Sequence, residues 1–94
     1  MGFPAFVDAL PEVELPYDGT ARARAMRGEG WTLLFVEVAD GDSLVIDETA
    51  ECARTVTPVV GGETRRIEAG EAVRETLDGP HASLWLIDTA DAYA

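Results

Sequence analysis

The sequence has no lysine, a single cysteine and a single histidine. All seven basic residues are arginine, and eighteen acidic residues give a formal net charge of −11. Such a surface repels the phosphate backbone of nucleic acids and the surface of anionic membranes. The chain also has no apolar run near the roughly 18 residues that a membrane-spanning helix needs. We therefore expect neither a nucleic acid nor a membrane as a partner.

The lone Cys52 has no second cysteine with which to form an internal disulfide. The first residues also lack the basic stretch and the long apolar core of a secretory signal. Both features predict a reducing, cytoplasmic setting. A small buried side chain is the simpler interpretation of Cys52, and a reactive thiol is the alternative.

The chain length of 94 residues predicts one domain, 1–94, with little stability to spare. A chain of this size buries only roughly 60–65% of the surface that its unfolded form exposes. An interface between subunits would bury more, so we expect a homodimer that shares an edge strand or an N-terminal arm.

Turn-forming residues divide most of the chain into about seven or eight short strands, a spacing typical of an all-β sandwich or barrel. The predicted strands are 13–15, 20–27, 31–39, 43–46, 56–60, 63–67, 72–77 and 83–87. Residues 1–19 are rich in proline, and we interpret them as an arm with one short turn at 8–12 that packs on the barrel or on a partner subunit.

Two of the predicted strands have informative patterns. Alanine and arginine alternate over 20–27, which favours a strand with alanines inward and arginines outward, although a helix is the alternative. The segment 31–39, WTLLFVEVA, is apolar on both faces and predicts a strand that is covered on both sides.

The stretch 61–81, GGETRRIEAGEAVRETLDGPH, places a hairpin and Gly70 ahead of His81. The spacing from Gly70 to His81 is the one found in the second conserved motif of the cupin family. The segments 6–12 and 27–30 are similar to that family as well. The chain thus resembles small single-domain cupins over most of its length. The resemblance implies a cupin-like double-stranded β-helix, or jelly-roll barrel.

Cupins usually hold a divalent metal with two histidines and a glutamate of the first motif and the histidine of the second. Here the two histidine positions hold Asp47 and Thr49, and the glutamate position falls near Ala53 or Arg54. Only His81 is kept, and one ligand does not hold a metal. The resemblance therefore implies a barrel without the usual metal centre, and we expect no cofactor.

A metal-dependent enzyme of dioxygenase, isomerase or decarboxylase type is one alternative. His81 with Asp47 and Glu51, or with Asp47 and Glu48, would supply imidazole and carboxylate ligands that suit Mn, Fe, Ni or Zn. A surface role for these acids is the simpler interpretation. His81 itself has three: a remnant of the metal site that still lines the pocket, a structural histidine, or an acid–base group.

A metal-free site for a small molecule is the other alternative. Arg54, Arg65 or Arg66 would clamp the carboxylate of a small acid, or a sugar would bind in the same place. Four side chains are candidates for the lining of a pocket: His81, Phe35, Trp31 and Trp85. Taken together, the sequence favours a binding or structural module over an enzyme.

Overall fold

The computed structural model of the chain describes residues 5–89, which form nine β-strands and one short 3-10 helix. The helix is Ala5–Ala9, a few residues before the predicted turn. The strands are β1 (Glu12–Val13), β2 (Asp18–Gly19), β3 (Arg22–Gly28), β4 (Trp31–Val38), β5 (Ser43–Thr49), β6 (Arg54–Pro58), β7 (Arg65–Ile67), β8 (Ala72–Asp78) and β9 (His81–Asp88). The predicted all-β class is confirmed for these residues.

The strands form two antiparallel sheets that face each other. The large sheet has the order β1-β3-β4-β9-β6-β7, and the small sheet has the order β2-β5-β8. Val36 and Val38 of the large sheet pack against Leu44 and Leu77 of the small one. The predicted closed barrel is not formed. Strands β1, β2 and β7 have only two or three residues, too few to carry a continuous ladder around the corners between sheets.

Strands β4 and β9 are the centre of the large sheet and pair along their full length. Side chains alternate between faces in a strand, so paired residues such as Leu34 and Trp85 share one face. This inner face points to the small sheet, and the outer face carries Leu33 and its partner Leu86.

The outer face is only partly covered, which differs from the expected burial of β4 on both sides. Met26 pairs with Leu33 and Leu33 with Leu86, so the three form one row across β3, β4 and β9. Met26 is 46% exposed and Leu86 is 38% exposed. We call Met26, Leu33 and Leu86 the outer patch.

Strand β3 has the predicted alternation, with Ala23 and Ala25 buried and Arg22 exposed. Next to the outer patch, Arg24 donates to the carbonyl oxygen of Leu10 over 2.8 Å. The backbone N–H of Ala25 donates to the Pro11 carbonyl over 2.9 Å. This end of the predicted arm therefore lies against the protein's own sheet. Residues 1–4 of the arm lie outside the described residues.

Strand β5 is longer than predicted and continues through Asp47 to Thr49. Carboxylates are depleted in strands, which hid this extension in the sequence. Here Asp47 lies opposite Arg74 of β8, and the two side chains form an ion pair of 3.3 Å. Within residues 5–89, no helix has the length and apolar character needed to cross a membrane.

Candidate functional site

A cavity of about 300 Å³ lies between the two sheets, and we call it the inter-sheet cavity. Most of its lining comes from apolar side chains on the facing surfaces of the two sheets. It includes Leu34 and Trp85 of the large sheet and Leu44, Ile46 and Val73 of the small sheet. The same alternation that builds the core therefore builds the walls of the cavity.

Three polar side chains meet at one end of this cavity, and we call them the polar cluster. Glu48 follows Leu44 and Ile46 on the inner face of β5, and Arg54 begins β6. The Tyr17 hydroxyl donates to Oε2 of Glu48 over 2.9 Å. Nη2 of Arg54 donates to the other carboxylate oxygen, Oε1. Both oxygens of Glu48 thus have partners within the protein.

The phenol of Tyr17 is hard to ionise in this setting. Burial raises the pKa of Tyr17 most, and the hydrogen bond to Glu48 and the negative charge of Glu48 raise it further. The positive charge of Arg54 opposes part of this effect, and the resulting pKa of Tyr17 is about 12. At neutral pH, Tyr17 is therefore a neutral hydrogen-bond donor to Glu48.

A second, wider cleft of about 590 Å³ opens beside the inter-sheet cavity, and we call it the end cleft. Residues 47–52 line one side of it, and Arg27 and Thr32 of the large sheet line the other. Tyr17, Glu48 and Arg54 line both the cavity and the cleft. The polar cluster therefore lies at the boundary between a mainly apolar cavity and a larger, more charged cleft.

The aromatic candidates from the sequence divide between the two faces of the large sheet. Trp85 lines the inter-sheet cavity. Trp31 and Phe35 pair with Asp88 and Leu84, so the register places them on the outer face, away from this cavity. Because β4 is apolar at successive positions, its sequence does not show which side chains face the core, and both aromatics remained candidates.

His81 lies at the far end of the inner face, opposite Val38. Its Nε2 is 2.9 Å from Oγ of Ser83, and the ring is partly buried. Leu44 packs beside Val38, and Glu48 lies four residues further along β5. Four residues of strand span about 13 Å. His81 is therefore separated from the polar cluster and is absent from the residues that line the inter-sheet cavity.

Two other metal candidates are also placed apart. Asp47 points to the outer side of the small sheet, where it pairs with Arg74, and both side chains are largely exposed. Glu51 is exposed in the link between β5 and β6. Residues 5–89 contain no group of three His, Cys, Asp or Glu side chains that could hold a metal. The proposed ligands His81, Asp47 and Glu51 do not fit a common metal ion.

The three candidate arginines have different surroundings. Arg54 belongs to the polar cluster. Arg65 lines the inter-sheet cavity and forms an ion pair of 3.5 Å with Glu71. Arg66 lies on the outer face, where Nε donates to Glu68 over 3.2 Å.

Sequence reasoning missed Tyr17, and it considered Glu48 only as a metal ligand beside Asp47 and His81. The alternation of Leu44, Ile46 and Glu48 was a usable signal for Glu48, because it places the three on one face. Tyr17 stands in a Pro-Tyr-Asp-Gly stretch that reads as a turn, and no local pattern predicts its carboxylate partner 31 residues away.

No protein-family model, no curated protein and no solved structure matches this chain.

Proposed function

We propose that this protein is a cupin-like, metal-free module that binds a small, mainly apolar molecule in the inter-sheet cavity. The observation that carries the proposal is the cavity itself: about 300 Å³, with apolar walls and a polar cluster at one end. Small-molecule sites have this composition, and their volumes begin near this size. The apolar walls bind the body of the ligand, and the polar cluster orients it.

The cavity is large for a protein of 10.1 kDa. The cavity is partly open to solvent, so its apolar walls contact water instead of close-packed side chains. A bound molecule displaces this water along Leu34, Ile46 and Trp85. Ligand binding therefore stabilises the folded chain, as expected when only the native state binds.

Trp85 provides a direct readout, because it lines the cavity whereas the second tryptophan, Trp31, lies on the outer face. We would replace Trp31 by Phe and titrate the protein with 1-octanol while recording the emission of Trp85. We expect a saturable shift in emission and a rise in melting temperature.

Two variants of β6 form a matched pair for this test. Val56→Phe fills the cavity, whereas Thr57→Phe adds the same ring on the opposite face of the strand. We expect octanol binding to weaken about tenfold or more in Val56→Phe, a loss of roughly 1.4 kcal/mol, and to persist in Thr57→Phe. Equal binding by both variants, or no response of Trp85 in the parent, would contradict the proposal.

We also propose that the protein acts as a homodimer through the outer patch. Met26, Leu33 and Leu86 form a contiguous apolar row, and contiguous apolar residues on an exposed face are typical of an interaction site. Sharing an edge of the large sheet is less favourable, since β1 and β7 offer only two and three residues for pairing.

The charges around the outer patch fit a second copy of the chain. By register and contact, the outer face carries three arginines and four acids: Arg22, Arg24, Arg66, Glu12, Glu37, Glu68 and Asp88. The difference of one negative charge leaves this face close to neutral, although the whole chain has a net charge of −11. Two such faces therefore meet with less repulsion than other surfaces of this acidic protein impose.

A further inference from the structure

We infer that the inter-sheet cavity selects a neutral or cationic amphiphile, an alkyl or aryl alcohol or amine, and disfavours the carboxylate of the same shape. The inference rests on the proposed binding function and adds the chemical class of the ligand. Its basis is the arrangement of donors, acceptors and charge at the polar cluster.

The walls of the inter-sheet cavity and the end cleft are negative. The carboxylate of Asp47 does not contribute to this charge, because it pairs with Arg74 on the other side of the sheet. Five carboxylates and three guanidinium groups remain, a difference of two negative charges: Glu14, Glu48, Glu51, Glu63 and Glu75 against Arg27, Arg54 and Arg65. The net charge of −11 on the whole chain adds a field of the same sign. An anionic ligand is therefore repelled on its way in, and a cation is attracted.

At the boundary, Glu48 and Tyr17 offer acceptors to a new partner, and Arg54 offers the N–H groups that Glu48 does not use. A carboxylate has about four lone-pair positions, and Glu48 uses one for Tyr17 and one for Arg54. The Tyr17 oxygen donates its hydrogen to Glu48 and keeps lone pairs for an incoming donor. An ammonium group on a ligand can donate to both Glu48 and the Tyr17 oxygen, and a hydroxyl group can donate to one of them. A carboxylate has no hydrogen to donate.

Arg54 is the cation at this point, and a ligand carboxylate would compete with Glu48 for it. The side chains of Arg54 and Glu48 are only 23% and 26% exposed. Displacing Glu48 would leave a partly desolvated carboxylate without its cation, a costly arrangement. Binding beside the intact pair would bring the ligand's charge close to that of Glu48. Both routes disfavour the acid.

The experiment uses three ligands with the same tail and different head groups: octylamine, 1-octanol and octanoate. Each is titrated near neutral pH against the Trp31→Phe protein, with the emission of Trp85 as the readout. We expect octylamine and octanol to bind and octanoate to bind about tenfold more weakly than octylamine, or not at all. Added salt should narrow this difference, because it screens the field of the acidic walls.

Glu48→Gln tests the residue that the inference holds responsible, and Glu37→Gln removes the same charge on the outer face. We expect Glu48→Gln to weaken octylamine severalfold and to strengthen octanoate, and Glu37→Gln to change both much less. Octanoate binding as tightly as octylamine would overturn the inference while leaving the binding function intact. Octylamine binding that persists in Val56→Phe would also overturn it, because the amine would then sit on the acidic surface. No response to any of the three ligands would instead reject the binding function.

Discussion

Glu48 is the residue that holds the polar cluster together. It accepts hydrogen bonds from Tyr17, 31 residues earlier, and from Arg54, six residues later. The three side chains come from the segment before β2, from β5 and from β6, so their meeting requires both sheets to be in place. The cluster is therefore a sensitive reporter of correct assembly of the two sheets.

The raised pKa of Tyr17 predicts a loss of stability at high pH. The pKa rises from 10.0 in the unfolded chain to about 12 in the folded protein. The unfolded state therefore loses this proton first. The contribution of Tyr17 is fully present below pH 10 and falls as the pH rises towards 12. Denaturant unfolding across this range should show the free energy of unfolding decreasing, with a smaller decrease in Tyr17→Phe.

A control for this prediction is Tyr93→Phe, which removes the only other tyrosine and lies outside the described residues. In that variant, ultraviolet titration should still show a phenol that ionises late, well above pH 10. An identical pH dependence in the parent and in Tyr17→Phe would contradict the account of the polar cluster.

Single-residue orientation could be predicted from the sequence only where a pattern fixes it. The alternation in β3 gave the buried Ala23 and Ala25 and the outward Arg22 correctly. The orientation of Trp31 and Phe35 could not be derived, because β4 is apolar on both faces. Without a polar face, the alternation of side chains does not show which residues point to the core. The position of Tyr17 in the polar cluster depends on its contact with Glu48, 31 residues away in the sequence, which no local pattern predicts.

Strand locations were the most predictable feature of the elements. The central strands β4 and β9 have strong β-forming sequences, and both lie where they were expected, within one or two residues. The closure of the sheets could not be predicted, since it depends on how many residues each edge strand contributes to pairing. The local sequence indicates that a segment forms a strand, but it does not indicate which other strands pair with it.

The hairpin between β8 and β9 depends on a close approach to the end of β4. A Cβ atom added at Gly79 would collide with the backbone carbonyl of Ala39. The backbone N–H of Gly79 also donates to the carbonyl of Asp42 over 2.9 Å. Gly79→Ala should therefore lower the free energy of unfolding by about 2–3 kcal/mol, as overpacking commonly does, measured by denaturant titration.

Gly61→Ala is the comparison for this variant. Gly61 has a φ of +68° and open space around it, so alanine there meets only the backbone penalty of the left-handed region. That penalty is about 1 kcal/mol. If both substitutions cost the same, the close approach at Gly79 has no energetic importance.

At the scale of the whole molecule, the outer patch explains why the sequence of β4 favours the proposed dimer. Strand β4 predicts cover on both faces, yet a single chain leaves Met26 and Leu86 of the outer face substantially exposed. A second copy packed on Met26, Leu33 and Leu86 would supply the missing cover. A chain of this size, with a partly open cavity between its sheets, gains most from such additional burial.

Leu86→Glu tests this interface by placing a charge in the middle of the outer patch. We expect the parent protein to sediment as a dimer at micromolar concentration and Leu86→Glu to sediment as a monomer, because burying an unpaired carboxylate is costly. Val45→Glu is the control, since Val45 is 41% exposed on the opposite side of the molecule. A monomeric parent, or dissociation by both variants, would reject the outer patch as the interface.

The position of β9 has a consequence for how the protein is made. His81–Asp88 is the ninth strand in chain order, yet it lies between β4 and β6 in the centre of the large sheet. As the chain leaves the ribosome, the β3–β4 and β6–β7 hairpins can form early, but they stay unjoined until β9 emerges. During this interval, β4 and β6 each present unpaired backbone groups, which invite pairing with other chains. Nascent molecules that stop short of His81 are therefore the form of this protein most in need of a chaperone.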